Sequence, residues 1–135
     1  MPTIVIACGA RKIDTRQPVP AADLYTGSLF RAAKAAAQAR TQQAGEWLIL
    51  SAKHGLIHPA APISPYEATI RSQSDVQALA ALIASQPDPG PIEAWCPARY
   101  RAALQQAGRT ITAAPLAGVG IGHQLQWLTH TAHTN

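Results

Sequence analysis

Apolar residues in this chain form short unbroken runs and longer spaced stripes, and the two patterns alternate. Thr3 to Ala7 read TIVIA, and Trp47 to Leu50 read WLIL. Continuous β-branched or aromatic runs of this length suit strands covered on both faces, as in a parallel sheet. Ile92 to Cys96 repeats the pattern, and Thr110 to Ala113 is a weaker fourth run. Between the first two, Leu29, Phe30, Ala33 and Ala37 recur at helical spacing, with Thr26 or Ser28 as the cap. Between the second and third, Val76, Leu79, Leu82 and Ile83 mark a helix through Ala84, capped by Ser74 or Asp75. Pro97 opens a third helix to Ala107. The glycines at 118, 120 and 122 lead into a last one around His123 to Leu128, with a frayed tail from Thr129. Residues 11 to 24 and the proline-bearing stretch from Leu56 to Pro65 read as loops.

Strands alternating with helices predict an α/β fold: three layers, α/β/α, around a mostly parallel sheet of four to five strands. A length of 135 residues fits a single domain with one sizeable core. Hydrophobic residues at 47% and charged residues at 13% argue against extensive disorder. No apolar run approaches the ~20 residues needed to cross a bilayer, so no membrane contact is expected. The N-terminus lacks the basic stretch of a signal peptide, which predicts a cytoplasmic protein. Cys8 and Cys96 then stay free thiols. Neither sits in a CxxC pair or a zinc spacing, so the sequence asks for no metal and no cofactor.

Charge sharpens the picture. The formal net charge is +4 and the pI about 9.5, with Arg11, Lys12 and Arg16 in one group and Arg99, Arg101 and Arg109 in a looser one. That balance favours a phosphate-bearing partner, a nucleotide or DNA; a solvated basic surface is the alternative.

Open α/β sheets bind ligands beyond the C-terminal ends of their strands. Two segments fall there. In Cys8-Gly9-Ala10-Arg11-Lys12, Gly9 permits close backbone approach and the two cations suit phosphate. Cys8 is a nucleophile if a neighbouring cation lowers its pKa, and otherwise a small buried hydrophobe. In Ser51-Ala52-Lys53-His54-Gly55, His54 titrates near neutrality, Lys53 can bind phosphate, Ser51 can donate, and Gly55 leaves room. Further on, Glu67 is one of only seven acidic residues and can act as a general base, while Tyr66 can stack on a base or donate through its hydroxyl. Tyr25, Thr26 and Ser28 sit where a helix opens, a place for an anion as well as for simple capping.

Taken in order, Cys-x-x-Arg-Lys at 8 to 12, Asp-Leu-Tyr-Thr-x-Ser-Leu-Phe from Asp23, Leu-Ser-Ala-Lys-His-Gly-Leu from Leu50, and Pro-Tyr-Glu-x-Thr from Pro65 resemble a family of small bacterial and phage proteins known as an uncharacterised domain. The likeness runs from Ile4 to Leu128. The opening motif is also similar, more remotely, to one in the uracil-DNA-glycosylase-like domain of archaeosine synthase, and the peroxide-stress YaaA family is a further remote relative. The family pattern often has Ser where this chain has Gly9, and Asp where it has Glu67. The resemblance implies an α/β fold and a nucleobase- or DNA-related setting.

Two functions are consistent with these residues. The first is an enzyme acting on a nucleotide or a base in DNA, at the N-glycosidic bond. Glu67 or His54 would activate water or stabilise an oxocarbenium-like centre, Arg11, Lys12 and Lys53 would hold phosphate, and Tyr25 or Tyr66 would lie against the base. The second is a non-catalytic nucleotide or nucleic-acid binding module using the same cations and tyrosines. Thiol chemistry at Cys8 is a third, weaker reading.

Overall fold

The computed structural model describes residues 1–133. Four parallel strands carry the fold: β1 (Thr3–Ala7), β3 (Trp47–Ser51), β6 (Ile92–Trp95) and β7 (Ile111–Ala113). A short strand, β4 (Gly55–Ile57), turns back antiparallel on β3, and the sheet order is β4-β3-β1-β6-β7. Helices α2 (Ser28–Arg40), α3 (Gln73–Ala84), α4 (Ala98–Gln106) and α5 (Ile121–His133) connect or follow them.

Side chains alternate across a strand, and β1 shows it. Ile4 and Ile6 enter a core with Phe30, Ala33, Ala36 and Leu128, whereas Val5 enters a second core with Leu79, Ile83 and Leu104. Helices α2 and α5 thus cover one face, α3 and α4 the other, and the expected three layers are present. The mostly parallel α/β fold is as the alternation of runs and stripes predicts.

The connections fix where a site can form. The chain leaves β1 through α2 toward β3, and leaves β6 through α4 toward β7, on the opposite face. Right-handed crossovers in opposite directions require opposite faces. The loops after β1 and β6, which are neighbouring strands, therefore diverge and leave a crevice between them, the topological switch point.

Several local expectations are corrected. α2 starts behind Gly27 with no side-chain cap, so neither Thr26 nor Ser28 caps it. α3 is capped by Ser72 rather than Ser74 or Asp75: Ser72 Oγ accepts from Asp75 N at 3.2 Å, and Asp75 accepts from Ser72 N at 3.1 Å, a reciprocal box. The expected loop 11–24 contains β2 (Val19–Pro20) and one helical turn, α1 (Ala21–Leu24). Within the proline-rich stretch, β5 (Pro62–Ile63) pairs with β2. The tail past Thr129 continues α5 to His133, held by the burial of Leu128 and Thr131. Among the described residues no helix is long and apolar enough to cross a membrane.

Candidate functional site

Two backbone pairings gather the site at the C-terminal edge of β1 and β3. Residues 11 to 13 run antiparallel to residues 24 to 26: Ile13 N donates to Leu24 O at 2.9 Å and Thr26 N to Arg11 O at 3.0 Å, which lays Lys12 beside Tyr25. The proline-rich segment is tied to α1 by Ala21 N to Ala61 O and Ala22 N to Pro59 O, both 2.9 Å, and it carries Tyr66 back over the sheet edge.

A buried chain of hydroxyls results. Ser51 Oγ lies 2.6 Å from Tyr66 Oη, which lies 2.6 Å from Tyr25 Oη. Its direction follows from counting lone pairs. Ser51 Oγ already accepts from Lys53 N at 3.2 Å and His54 N at 3.0 Å, so both lone pairs are used and its proton goes to Tyr66. Tyr66, having accepted, donates to Tyr25. Tyr25 is 2% exposed, and Ser51 hydrogen-bonds it as well, so the three hydroxyls form one enclosed group. Burial pushes Tyr25 up to about 12, against the pull of the Tyr66 hydrogen bond, so it keeps its proton at neutral pH. Tyr66 is raised too, chiefly by burial.

Cations surround this chain. Lys12 Nζ is 4.5 Å from the centre of the Tyr66 ring and 5.7 Å from that of Tyr25, and Lys53 Nζ is 5.9 Å from that of Tyr66. The His54 imidazole stands edge-on to Tyr66 at 5.2 Å. Burial, then the Lys53 ammonium, lower the His54 pKa below its ordinary 6.5, so the ring is neutral at pH 7. Neither lysine has a carboxylate partner among the described residues, where the ion pairs are Arg40–Glu93 and Arg109–Asp88. Two ammonium groups on one ring, without a carboxylate partner among the described residues, suit an anion.

Cys8, at the end of β1, is half-buried and lies 3.6 Å from Tyr100 Oη. Cys96 is fully buried, bonds Val5 O at 3.3 Å, and is held up as a thiol by that burial. Beside Cys8 and Gly9, between the ends of β1 and β6, lies an apolar cavity of about 350 Å³ under α2 and α5. Phe30 joins the two regions, since it lines the cavity and packs its ring 4.9 Å from that of Tyr25.

The structure thus brings together Cys8, Lys12, Tyr25, Ser51, Lys53, His54 and Tyr66, with Gly9 on the cavity wall. It does not bring the others. Glu67 is exposed and makes no hydrogen bond or ion pair with any described residue, because extended chain that turns Tyr66 inward turns its neighbour outward. The expected Glu67–His54 cleft does not form. Arg11 and Ser28 are exposed at its margin. Gly55 is buried for a reason of the fold: with φ +70°, a Cβ there would come within 2.5 Å of Gln86 Oε1. Tyr66 and Tyr25 are too enclosed to offer a face to a base. Sequence reasoning missed Tyr100 and Trp95, which lie in segments that read simply as helix and strand.

No curated protein matches the chain. The model of a family of unknown function (DUF6884) matches residues 3–130, and the chain belongs to that family.

Proposed function

We propose that this DUF6884 member is an enzyme acting on a nucleotide or a base in DNA, and that it hydrolyses the N-glycosidic bond. The observation that carries the reading is that Lys12 and Lys53, with no carboxylate partner among the described residues, converge with His54 on the Tyr66 ring of a buried hydroxyl chain. The lysines neutralise a phosphate. His54, neutral at pH 7, takes a proton from the water that attacks the anomeric carbon; the glycosidic bond breaks, the base leaves with its electron pair and takes a proton from solvent water, and His54 returns its own proton to solvent. Hydroxyls held in a fixed direction give such a site its preorganisation. The likeness of the Cys8–Lys12 motif to the glycosylase-like domain of archaeosine synthase supports the same class.

One observation favours the second reading, a binding module without turnover: Glu67 is exposed and makes no hydrogen bond or ion pair with any described residue. A panel of nucleosides, nucleotides and modified DNA, assayed for base release, separates the two. Release that falls at least 100-fold in His54→Ala, while nucleotide binding persists, is the expected result. Binding with no release from any member of the panel would establish the module instead.

A further inference from the structure

The tyrosines cannot receive a ring, so a ligand held by Lys12 and Lys53 must place its ring elsewhere. We infer that the cavity at the switch point is a nucleobase subsite, an inference that rests on the phosphate reading of the neighbouring lysines and names what lies at the other end of the ligand.

The cavity, partly open to solvent, holds about 350 Å³, in the range of small-molecule sites, roughly 300–1,000 Å³. Its floor is Phe30, Trp95 and Leu116, each at least 92% buried, which is a surface for a flat apolar body. Its rim is polar at two places. Arg101 donates one guanidinium N–H to Cys96 O at 2.8 Å, and its others have no acceptor among the described residues. Gln124 donates to Val119 O at 2.6 Å, and its Oε1 has no donor among the described residues. A flat ring whose edge offers both an acceptor for Arg101 and an N–H for Gln124 is a purine or pyrimidine; a hydrocarbon or a phenyl ring offers neither. The position agrees, since ligands of open α/β sheets bind where the loops diverge. Cys8 and Gly9 line the cavity at the end of β1, and the same loop goes on to Lys12. A Cβ on Gly9 would meet only Phe30 Cβ, at 3.8 Å, so the backbone there is open to a ligand.

Two plugs test this from opposite rims, Ala98→Trp and Val119→Trp, both at positions that are not fully buried. Uridine and adenosine 5′-monophosphates and inorganic phosphate are titrated into wild type and plugged proteins, with thermal unfolding as the folding control. In ¹⁵N-labelled wild type, the Trp95 indole N–H should shift with either nucleotide and not with phosphate, a readout that needs no variant. Nucleotide should bind wild type at least tenfold more tightly than phosphate, and each plug should remove that advantage while sparing phosphate affinity. Nucleotide affinity unchanged in both folded plugs, with Trp95 unmoved, would overturn the subsite and leave the phosphate reading standing. If neither nucleotide nor phosphate binds wild type, the phosphate reading falls; uridine and adenosine then decide the cavity alone, binding that the plugs abolish upholding it and absence of binding overturning it.

Discussion

At the scale of single residues, the hydroxyl chain makes unequal demands on its members. Tyr66 both accepts from Ser51 and donates to Tyr25, so Tyr66→Phe strands one buried donor and frees one buried acceptor, whereas Tyr25→Phe strands only the Tyr66 proton. An unpaired buried polar group costs about 1–3 kcal/mol. Tyr66→Phe should therefore be the more destabilising of the two, by about 1 kcal/mol in urea denaturation, and equal midpoints would contradict the assigned direction. His54 adds a pH dependence whose sign is fixed. Its pKa is lowered in the folded state, by burial first and Lys53 second, so it contributes nothing above its unfolded value of about 6.5. As pH falls below that value the unfolded chain takes up the proton first, and stability declines until the lower folded pKa is passed. Acidification from pH 7.5 to 5 should cost wild type more stability than His54→Gln, and Lys53→Ala should move the His54 NMR titration midpoint upward. Glu67→Gln should leave any base release within about twofold; abolition would return the carboxylate to the mechanism. Sequence placed Tyr66 and Glu67 together as candidates, and only the direction of the extended chain separates them, which no residue type announces.

At the scale of elements, legibility followed length and redundancy. TIVIA and WLIL announce buried strands because each residue repeats the same preference, and α2 and α3 show several apolar residues at helical spacing. β4 has three residues and α1 four, too few for any period, and both exist because other parts of the chain hold them. Gln86 holds β4. It accepts from Leu56 N at 2.9 Å and donates to His54 O at 3.0 Å and to Leu56 O at 3.1 Å, so a side chain beyond the end of α3 acts as the missing neighbour of an edge strand. It also fixes the backbone of the turn that presents His54. Gln86→Leu removes all three bonds and should destabilise by about 1–3 kcal/mol. Gly55→Ala should cost a comparable amount, about 1–3 kcal/mol, since it forces a Cβ into the left-handed region and against that same amide. Guanidinium or thermal unfolding checks both, and a Gly55→Ala protein as stable as wild type would show that the turn relaxes freely.

At the scale of the whole molecule, charge and topology coincide. The net charge of +4 is modest, and two arginines are already spent on ion pairs, Arg40 with Glu93 and Arg109 with Asp88. Lys12 and Lys53 have no such partner among the described residues and follow the C-terminal ends of β1 and β3, so the excess positive charge meets the edge of the sheet where open α/β folds bind ligands. A phosphate-bearing polymer bound there releases counterions in proportion to the phosphates neutralised, about 0.7 to 0.9 per contact in a plot of log K against log salt. If single-stranded DNA crosses this edge, Lys12→Ala and Lys53→Ala should each weaken binding and each reduce the slope by about one, and the double variant by about two. Arg71→Ala serves as the control: this cation lies exposed beside the α3 cap, where it neighbours Asp75 rather than Tyr66. Its removal should change the slope no more than any surface charge does. Fluorescence anisotropy over a salt series reads wild type and all four variants in one format. Slopes unchanged in both lysine variants would mean that DNA, if bound, is held by another face. Weakened binding at constant slope would mean that the lysines act through the fold of the edge rather than on phosphate. The expected pattern, affinity and slope falling together, belongs only to direct contact.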